Sequence, residues 1–474
     1  AGGLRMIDVR DRLRRPRWGE ALALADGRVE VHDPLWIRAQ GIDELVHQAV
    51  FGSPPERAEA RWWIYGIAQA LGVIPASIHA LYAARGRGEI PPTFTVPAMN
   101  LRGMTYDMGR AAFRAARRLE AGAVIFEIAR SEIGYTDQRP EEYAAVLMAA
   151  AVKEGFTGPL FLQGDHFQVS AKAYARDPEK ELQAVRDLTA EAIAAGFYNI
   201  DIDTSTLVDL SQPTLDAQQR LNYTLCAALT RYIRSIEPPG VTISVGGEIG
   251  EVGGKNSTVE ELRAFMDGYR RELGEVVGIS KISVQTGTTH GGVVLPDGTL
   301  AQVAIDFEAL RALSRAARLE YGLAGAVQHG ASTLPEEAFH KFVECEACEV
   351  HLATGFQNLV FEMLPVAFRE EIYAYLRAHH ADERKPGETD EQFYYKTRKR
   401  AWGPFKQAFW ELPEEVRGPI REALEACFAL LFERLRVAGT RELVARYVRP
   451  VPLLRPIPTP TAGTRAEEVE GLAD

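Results

Sequence analysis

The sequence predicts an α/β protein built on a closed parallel (β/α)8 TIM barrel with helical extensions at its N- and C-terminal sides. Two observations carry this expectation. Between residues 93 and 365, eight short apolar runs alternate with amphipathic helices, and alternation sustained over about 270 residues is the pattern of a closed barrel. No G-x-G-x-x-G follows the first run, which removes the usual nucleotide signature of the runner-up, a doubly wound open sheet.

Residues 1–92 read as a helical extension, with aromatic and Ala/Leu positions at helical spacing in 58–71 and 78–84, and Gly/Pro punctuation at 52–55, 72–75 and 86–92. Barrel strands are expected at 94–99, 123–128, 160–163, 199–203, 242–246, 281–285, 325–328 and 349–352. The helices between them are expected at 106–120, 141–153, 179–195, 214–236, 259–273, 307–321 and 336–344, with an eighth at 357–363. Residues 366–448 return to helices alone, and 449–474 open with the Pro-rich run RPVPLLRPIPTPTAG, which favours an extended chain.

Composition narrows the function. With 474 residues and 46% hydrophobic content, the chain can bury a large core and is not disordered in bulk. Acidic residues outnumber basic ones by 65 to 54, which argues against nucleic acid as a partner and leaves basic side chains to be expected locally, where a phosphorylated substrate binds. The four cysteines, Cys226, Cys345, Cys348 and Cys427, are too few for a disulfide framework. Without a second pair for zinc, Cys345 and Cys348 read as small buried residues. No uncharged apolar stretch of about 18 residues occurs and residues 1–17 lack an apolar signal core, so a cytoplasmic location without a membrane partner is expected.

In such a barrel the active site lies at the C-terminal ends of the strands. The third strand ends in Gly164-Asp165-His166, the fourth in Asp201-Ile202-Asp203, the fifth in Gly246-Gly247-Glu248, the sixth in Thr289-His290-Gly291, the seventh in His329-Gly330-Ala331-Ser332 and the eighth in His351-Leu352-Ala353-Thr354. One histidine at a strand end is more often structural. Three of them, His166, His290 and His329, make a site for catalytic Zn2+, although three imidazoles accept other divalent metals too. Asp203 and Glu248 are placed to orient these ligands or to replace one. Gly291 and Gly330 offer backbone N–H groups, and Ser332 and Thr354 hydroxyls, for a phosphate; the same glycines also suit tight turns. Lys281 opens the sixth strand rather than ending it, so no strand-end amine offers itself for a Schiff base.

The order Asp-His, Glu-x-Gly with a Gly-Gly loop, His-Gly and His-Gly-x-Ser at successive strand ends resembles the class II, metal-dependent fructose-bisphosphate aldolases over residues 93–365. The resemblance implies that His166, His290 and His329 ligate zinc, with Glu248 and Asp203 lining an alternative metal position. It implies Asp165 as acid/base on the substrate's C4 hydroxyl, and Gly291, Gly330, Ser332 and Thr354 around the dihydroxyacetone phosphate end. A monovalent cation held by backbone oxygens and a homo-oligomer, dimer or tetramer, are also implied. The chemistry is self-consistent: cleaving a carbon–carbon bond beside a ketone leaves negative charge that a Lewis acid stabilises, and a carboxylate must take the hydroxyl proton.

The chain also departs from the family pattern. Lys255 and Asn256 follow Gly253-Gly254 where the family carries an acid, leaving Glu251 and Glu260 as the nearest candidates for that proton transfer; each reads equally as a loop or helix-start charge. His351 and Ala353 stand where many members carry Asn and Asp, and a lysine usual after the His-Gly of strand six is missing. In the family a basic residue of a neighbouring subunit reaches the second phosphate. Arg398, Lys399 and Arg400, in the densest basic stretch, are the candidates, against a solvated helix face. The expected activity is zinc-dependent cleavage of a ketose bisphosphate, most simply fructose 1,6-bisphosphate to dihydroxyacetone phosphate and glyceraldehyde 3-phosphate. The alternatives are tagatose bisphosphate or another phosphorylated ketose, and a non-catalytic barrel subunit of an aldolase complex, against which the retained Asp165 and three histidines speak.

Overall fold

A computed structural model of the chain describes residues 7–250, 254–287, 293–301, 304–458 and 469–472. The N-terminal zone is not purely helical. Strands β1 (Leu22–Ala25) and β2 (Arg28–Val31) form an antiparallel hairpin with Ala25 opposite Arg28. Its two-residue turn, Asp26-Gly27, has φ of 52° and 76°, the positive pair that an Asp-Gly hairpin turn requires. The helix Pro54–Ala70 starts from a capping box between Ser53 and Glu56 with proline in its first turn, and buries Trp63, Ile64 and Ile67. A short strand β3 (Val73–Pro75) then pairs parallel to the outside of the barrel.

Among the described residues the barrel consists of β4 (Val96–Asn100), β5 (Ile125–Ala129), β6 (Gly158–Gln168), β7 (Asn199–Asp203), β8 (Ser244–Glu248), β9 (Lys281–Val284), β10 (Ala326–Gln328) and β11 (Glu349–Leu352). Each pairs parallel with the next, and β11 pairs back onto β4, Glu349 opposite Val96 through Leu352 opposite Met99, which closes the barrel. Closure buries both faces of every strand, which is why these segments read as near-continuous apolar runs. The expected strands are all present. The main difference is β6, expected to stop at residue 163 but running to Gln168 through a register shift between Gly164 and Phe167. Its Gly-Asp-His, read from the sequence as the end of the strand, folds as a bulge within it. The helix Arg130–Thr136 also escaped the sequence reading, because its seven residues are too short to show a period.

The C-terminal helices pack onto the barrel. Helix Glu414–Arg434 lies against helix Thr105–Leu119, where buried Asp107 accepts from Arg421 at 2.6 Å and Arg417 at 3.5 Å. The backbone N–H of Thr95 donates to Leu435 O at 2.9 Å. In the Pro-rich segment, Arg455 covers the Tyr65 ring at 4.2 Å. Cys345 and Cys348 are buried, reduced residues whose thiols point at the carbonyls of Phe307 and Ala326. Among the described residues, no helix is long and apolar enough to cross a membrane.

Candidate active site

The β6 bulge is built from a contact that only glycine allows. A Cβ on Gly164 would meet the Phe167 ring at 2.5 Å. The chain therefore folds tightly there, carries His166 into the left-handed region at φ 40°, and turns two successive residues, Asp165 and His166, into the barrel mouth. Both are only 3% exposed.

His166 is oriented by acids. Its Nδ1 lies 3.0 Å from Asp203 Oδ2 and 3.2 Å from Glu248 Oε2, while its Nε2 lies on the Asp165 side, 4.0 Å from Oδ1. Asp203 is itself held by Gln168 Nε2 at 2.7 Å and by the Ser205 hydroxyl at 2.6 Å. Burial would raise its carboxyl, but the hydrogen bonds from His166, Ser205 and Gln168 outweigh burial and hold it at about 2. Glu248 goes the other way: burial and the neighbouring Asp203 charge push it up to about 7. Burial opposes a charge on His166, yet Asp165 and Glu248 raise the imidazole well above its usual value.

The His329 ring, at the end of β10, lies tilted between those of His166 and His351, its centroid 4.1 Å from each, and its Nε2 lies 3.0 Å from Ser283 Oγ. Asp165, His166 and His329 bring donor atoms within 4.8 Å of one another, and His166, Asp203 and Glu248 form a second such group. This buried set of imidazoles and carboxylates suits zinc or a similar divalent ion, with carboxylates on one ring nitrogen of His166 fixing the tautomer that turns the other nitrogen inward. His290, Gly291 and Glu251 lie outside the described residues.

Asp165 is clamped on both oxygens. Oδ2 accepts from Asn100 Nδ2 at 2.9 Å, and Oδ1 lies 3.0 Å from His351 Nδ1. Burial opposes its ionisation, but the facing His166 and His351 hold its carboxyl well below the usual range. A cavity of about 30 Å³ at this point is lined by Asp165, His329, Gly330, Ser332, Thr354 and Arg102, so the expected phosphate cradle and the acid/base candidate share one opening. A larger cavity, about 1270 Å³, lies beside Arg61, Glu142 and Lys406. Its charges pair with one another, Lys406 to Glu142 at 2.6 Å and Arg61 to Glu142 at 3.5 Å, and none of the metal, acid/base or phosphate candidates lines it.

The model of the class-II fructose-bisphosphate aldolase family matches residues 92–411. The chain belongs to that family. No curated protein matches it. Among solved structures, a protein described as a probable tagatose 6 phosphate kinase from Sinorhizobium meliloti 1021 superposes with a TM-score of 0.53 at 16% identity, over 73% of this chain and 99% of that one. The likeness shows a shared fold. The fructose-bisphosphate aldolase of Campylobacter jejuni gives a TM-score of 0.45 at 16% identity over 77% of this chain and 96% of that one. The YdjI aldolase of Escherichia coli K12 gives 0.47 at 12% identity over 77% and 99%.

Set against this family's pattern, the remaining residues divide clearly. Glu260 sits on the first turn of helix Val259–Leu273, mostly exposed and 4.0 Å from Arg263. The capping box of Thr258 with Glu261 sets the helix phase so that Glu261 faces inward and Glu260 outward. Glu260 is therefore not brought to the metal cluster and stands as a helix-start charge. Arg398 is buried over the rings of Phe361 and Tyr395 and bound to Asn358. Lys399 and Arg400 lie over Tyr135 at 5.3 and 5.9 Å, a ring that Arg102 also faces at 6.0 Å. The basic run is thus no solvated face: its 3-10 turn folds back on its own barrel. Burial, then the charges of Arg102 and Arg400, pull the Lys399 ammonium down to about 7.

Several site residues escaped the sequence reading. Asn100, Arg102, Glu127 and Glu349 are buried at or below the barrel mouth, and Lys281 lies among them. Lys281 Nζ contacts Gln163 Oε1 at 2.7 Å, Glu349 Oε2 at 2.6 Å and Asp201 Oδ1 at 2.9 Å. Although burial opposes the charge, Asp201 and Glu349 raise this ammonium above the ordinary lysine value, so it is a fixed cation rather than an amine nucleophile. A signal was present: a charged residue inside an apolar run, as in Ile125–Ala129 or Glu349–Leu352, marks a side chain directed into a barrel.

Proposed function

We propose that this member of the class II aldolase family is a metal-dependent lyase that reversibly cleaves a phosphorylated ketose, with fructose 1,6-bisphosphate the first candidate substrate. The observation that carries the reading is Asp165, a carboxylate fixed on both oxygens beside the His166–His329 pair. His166 and His329, with Asp203 and Glu248 behind or beside them, would hold zinc, and by the resemblance His290 would complete the set. The metal supplies Lewis acidity for charge developing on the ketone oxygen. Asp165 takes the C4 hydroxyl proton as the C3–C4 bond breaks and that pair of electrons passes to the ketone fragment; in condensation it returns the proton. Glu251 is the candidate for protonating the carbon left behind.

The hydroxyls of Ser332 and Thr354 and the backbone at Gly330 and Gly291 are suited to one phosphate. Lys399 and Arg400, beside Arg102, are suited to the second, from the same chain rather than a neighbour. A monovalent cation near the phosphate, a homo-oligomer and a cytoplasmic setting complete the reading. One observation favours another phosphorylated ketose, such as tagatose bisphosphate: His351 is engaged by Asp165 and Glu127, and Ala353 has no polar atom for the substrate. The test is cleavage of both sugar bisphosphates by purified protein, before and after chelation and zinc add-back. Cleavage that vanishes with chelator and returns with zinc is expected. No cleavage of any phosphorylated ketose by fully metallated protein would overturn the proposal and favour a non-catalytic subunit.

A further inference from the structure

The short helix Arg130–Thr136 brings Glu132 to the end of β4, where it is 1% exposed. Both of its oxygens face donors. Oε1 accepts from the backbone N–H of Ala129 at 2.8 Å and from Asn100 Nδ2 at 2.7 Å, and Oε2 accepts from Arg102 Nε at 2.8 Å. Asn100 Nδ2 donates at the same time to Asp165 Oδ2 at 2.9 Å. Both amide protons of Asn100 thus go to carboxylates, which fixes the amide's orientation, since a flipped amide would set its oxygen against two acids. The result is an unbroken buried chain from Arg102 through Glu132 and Asn100 to Asp165.

All four members line the same opening. Arg102 is held there on two sides, by Glu132 on Nε and by Gln357 Oε1 on Nη1 at 3.3 Å, the oxygen that Trp402 Nε1 also reaches at 2.9 Å. Its Nη2 has no hydrogen-bond partner among the described residues, which leaves one edge of a fixed guanidinium for an anion. Only a carboxylate fits the Glu132 position. Ala129, Asn100 and Arg102 all donate to it, whereas a glutamine has a single acceptor oxygen and must turn its NH2 toward one of these donors. An ion pair for stability needs Arg102 alone, and a helix cap needs the Ala129 N–H alone. Neither requires Asn100, whose second proton is spent on the acid/base candidate.

We infer that Glu132 is a positioning residue of this site. Its one carboxylate orients Asp165 through Asn100 and presents the Arg102 guanidinium to an anionic group of the substrate. The inference rests on the reading of the site as a lyase for phosphorylated ketoses, with Asp165 at the C4 hydroxyl.

The test is steady-state cleavage by zinc-loaded full chain, in the wild type and a set of variants. Glu132→Gln should lower kcat at least about tenfold, because Asp165 loses its orientation, and should raise KM several-fold. Asn100→Ala should lower kcat alone, and Arg102→Met should raise KM with kcat within about twofold. In the Asn100→Ala background Glu132→Gln should lower kcat by no more than about a further twofold, and in the Arg102→Met background it should add no more than that to KM. A purely structural role lowers kcat by one factor in every background and leaves KM unchanged; that pattern, or a kcat within twofold in Glu132→Gln, overturns the inference. Should Glu132→Gln fail to fold, Arg102→Met/Glu132→Gln removes the unpaired guanidinium along with the charge, and a kcat equal to that of Arg102→Met overturns the inference. If the wild type cleaves no phosphorylated ketose, the reading of the site fails, and crystal structures of zinc-loaded wild type and Glu132→Gln judge the chain by itself. Displacement of both the Asp165 carboxylate and the Arg102 guanidinium supports it, and an Asp165 that keeps its place overturns it.

Discussion

Replacing Lys281 by methionine preserves most of the side-chain volume and removes only the ammonium. That group is 1% exposed and meets Gln163, Glu349 and Asp201 within 2.9 Å. Removing one partner of a buried ion pair leaves the other charged and unsolvated, a cost of roughly 3–5 kcal/mol. With a urea slope of about 3 kcal/mol/M, the unfolding midpoint of metal-free protein at pH 7 falls by roughly 1–1.7 M. Adding Glu349→Gln removes one of the two orphaned charges, the other being Asp201, and should recover about 0.5–3 kcal/mol, the range seen for coupled neighbours.

The pH dependence follows from Glu349. Burial would raise its carboxyl, but Lys281 and His351 hold it at about 2, below its ordinary 4.5. A carboxyl depressed on folding adds stability that is complete above the unfolded value and is lost as pH falls through the folded one. In the Lys281→Met variant the carboxyl keeps only His351 to lower it, so it is less depressed and accepts a proton at a higher pH than in the wild type. The gap between wild type and variant is therefore widest at pH 7 and narrows toward pH 4. A single-variant cost under about 1 kcal/mol, or a double variant no more stable than the single, would refute the assignment of Lys281 as the counter-charge of the barrel interior.

Lys399→Met should raise KM for the sugar bisphosphate about tenfold, roughly 1.4 kcal/mol, while leaving kcat within about twofold, because its charge acts on binding rather than bond cleavage. Since the Lys399 ammonium titrates at about 7, wild-type KM should rise between pH 6 and 8 and the variant's should lack that component; identical profiles would count against Lys399 as a phosphate ligand. Trp402 is 1% exposed, donates to Gln357 Oε1 at 2.9 Å and packs on Phe361 and Phe409, so Trp402→Ala should cost about 3–5 kcal/mol in denaturant unfolding. Gly103→Ala should also destabilise measurably, because its Cβ would fall 2.0 Å from the Trp402 ring. Burial pushes the Cys345 and Cys348 thiols up to about 11 and about 12. Thiol reagents at pH 8 should therefore leave both unmodified until the protein is denatured, as peptide mapping would show.

The barrel was legible in the sequence because its cause is local. A strand buried on both faces must be apolar along its length, and the run closed by Gln328 or Leu352 announces its own end, so His329, Gly330 and Thr354 could be placed at the rim from position alone. Asp165 and His166 could be singled out as a pair, yet the bulge that aims them depends on Phe167 closing over Gly164, which no periodicity reports. The basic run around Lys399 has the composition of a wet helix; only the fold of the C-terminal extension lays it over Tyr135. Least legible was the network of Glu127, Asp201, Lys281, Glu349 and His351, whose members are brought together by barrel closure and register across four strands. Periodicity and strand-end chemistry are properties of neighbours along the chain. Which buried charge meets which is settled only when β11 pairs with β4 and the interior is sealed from water.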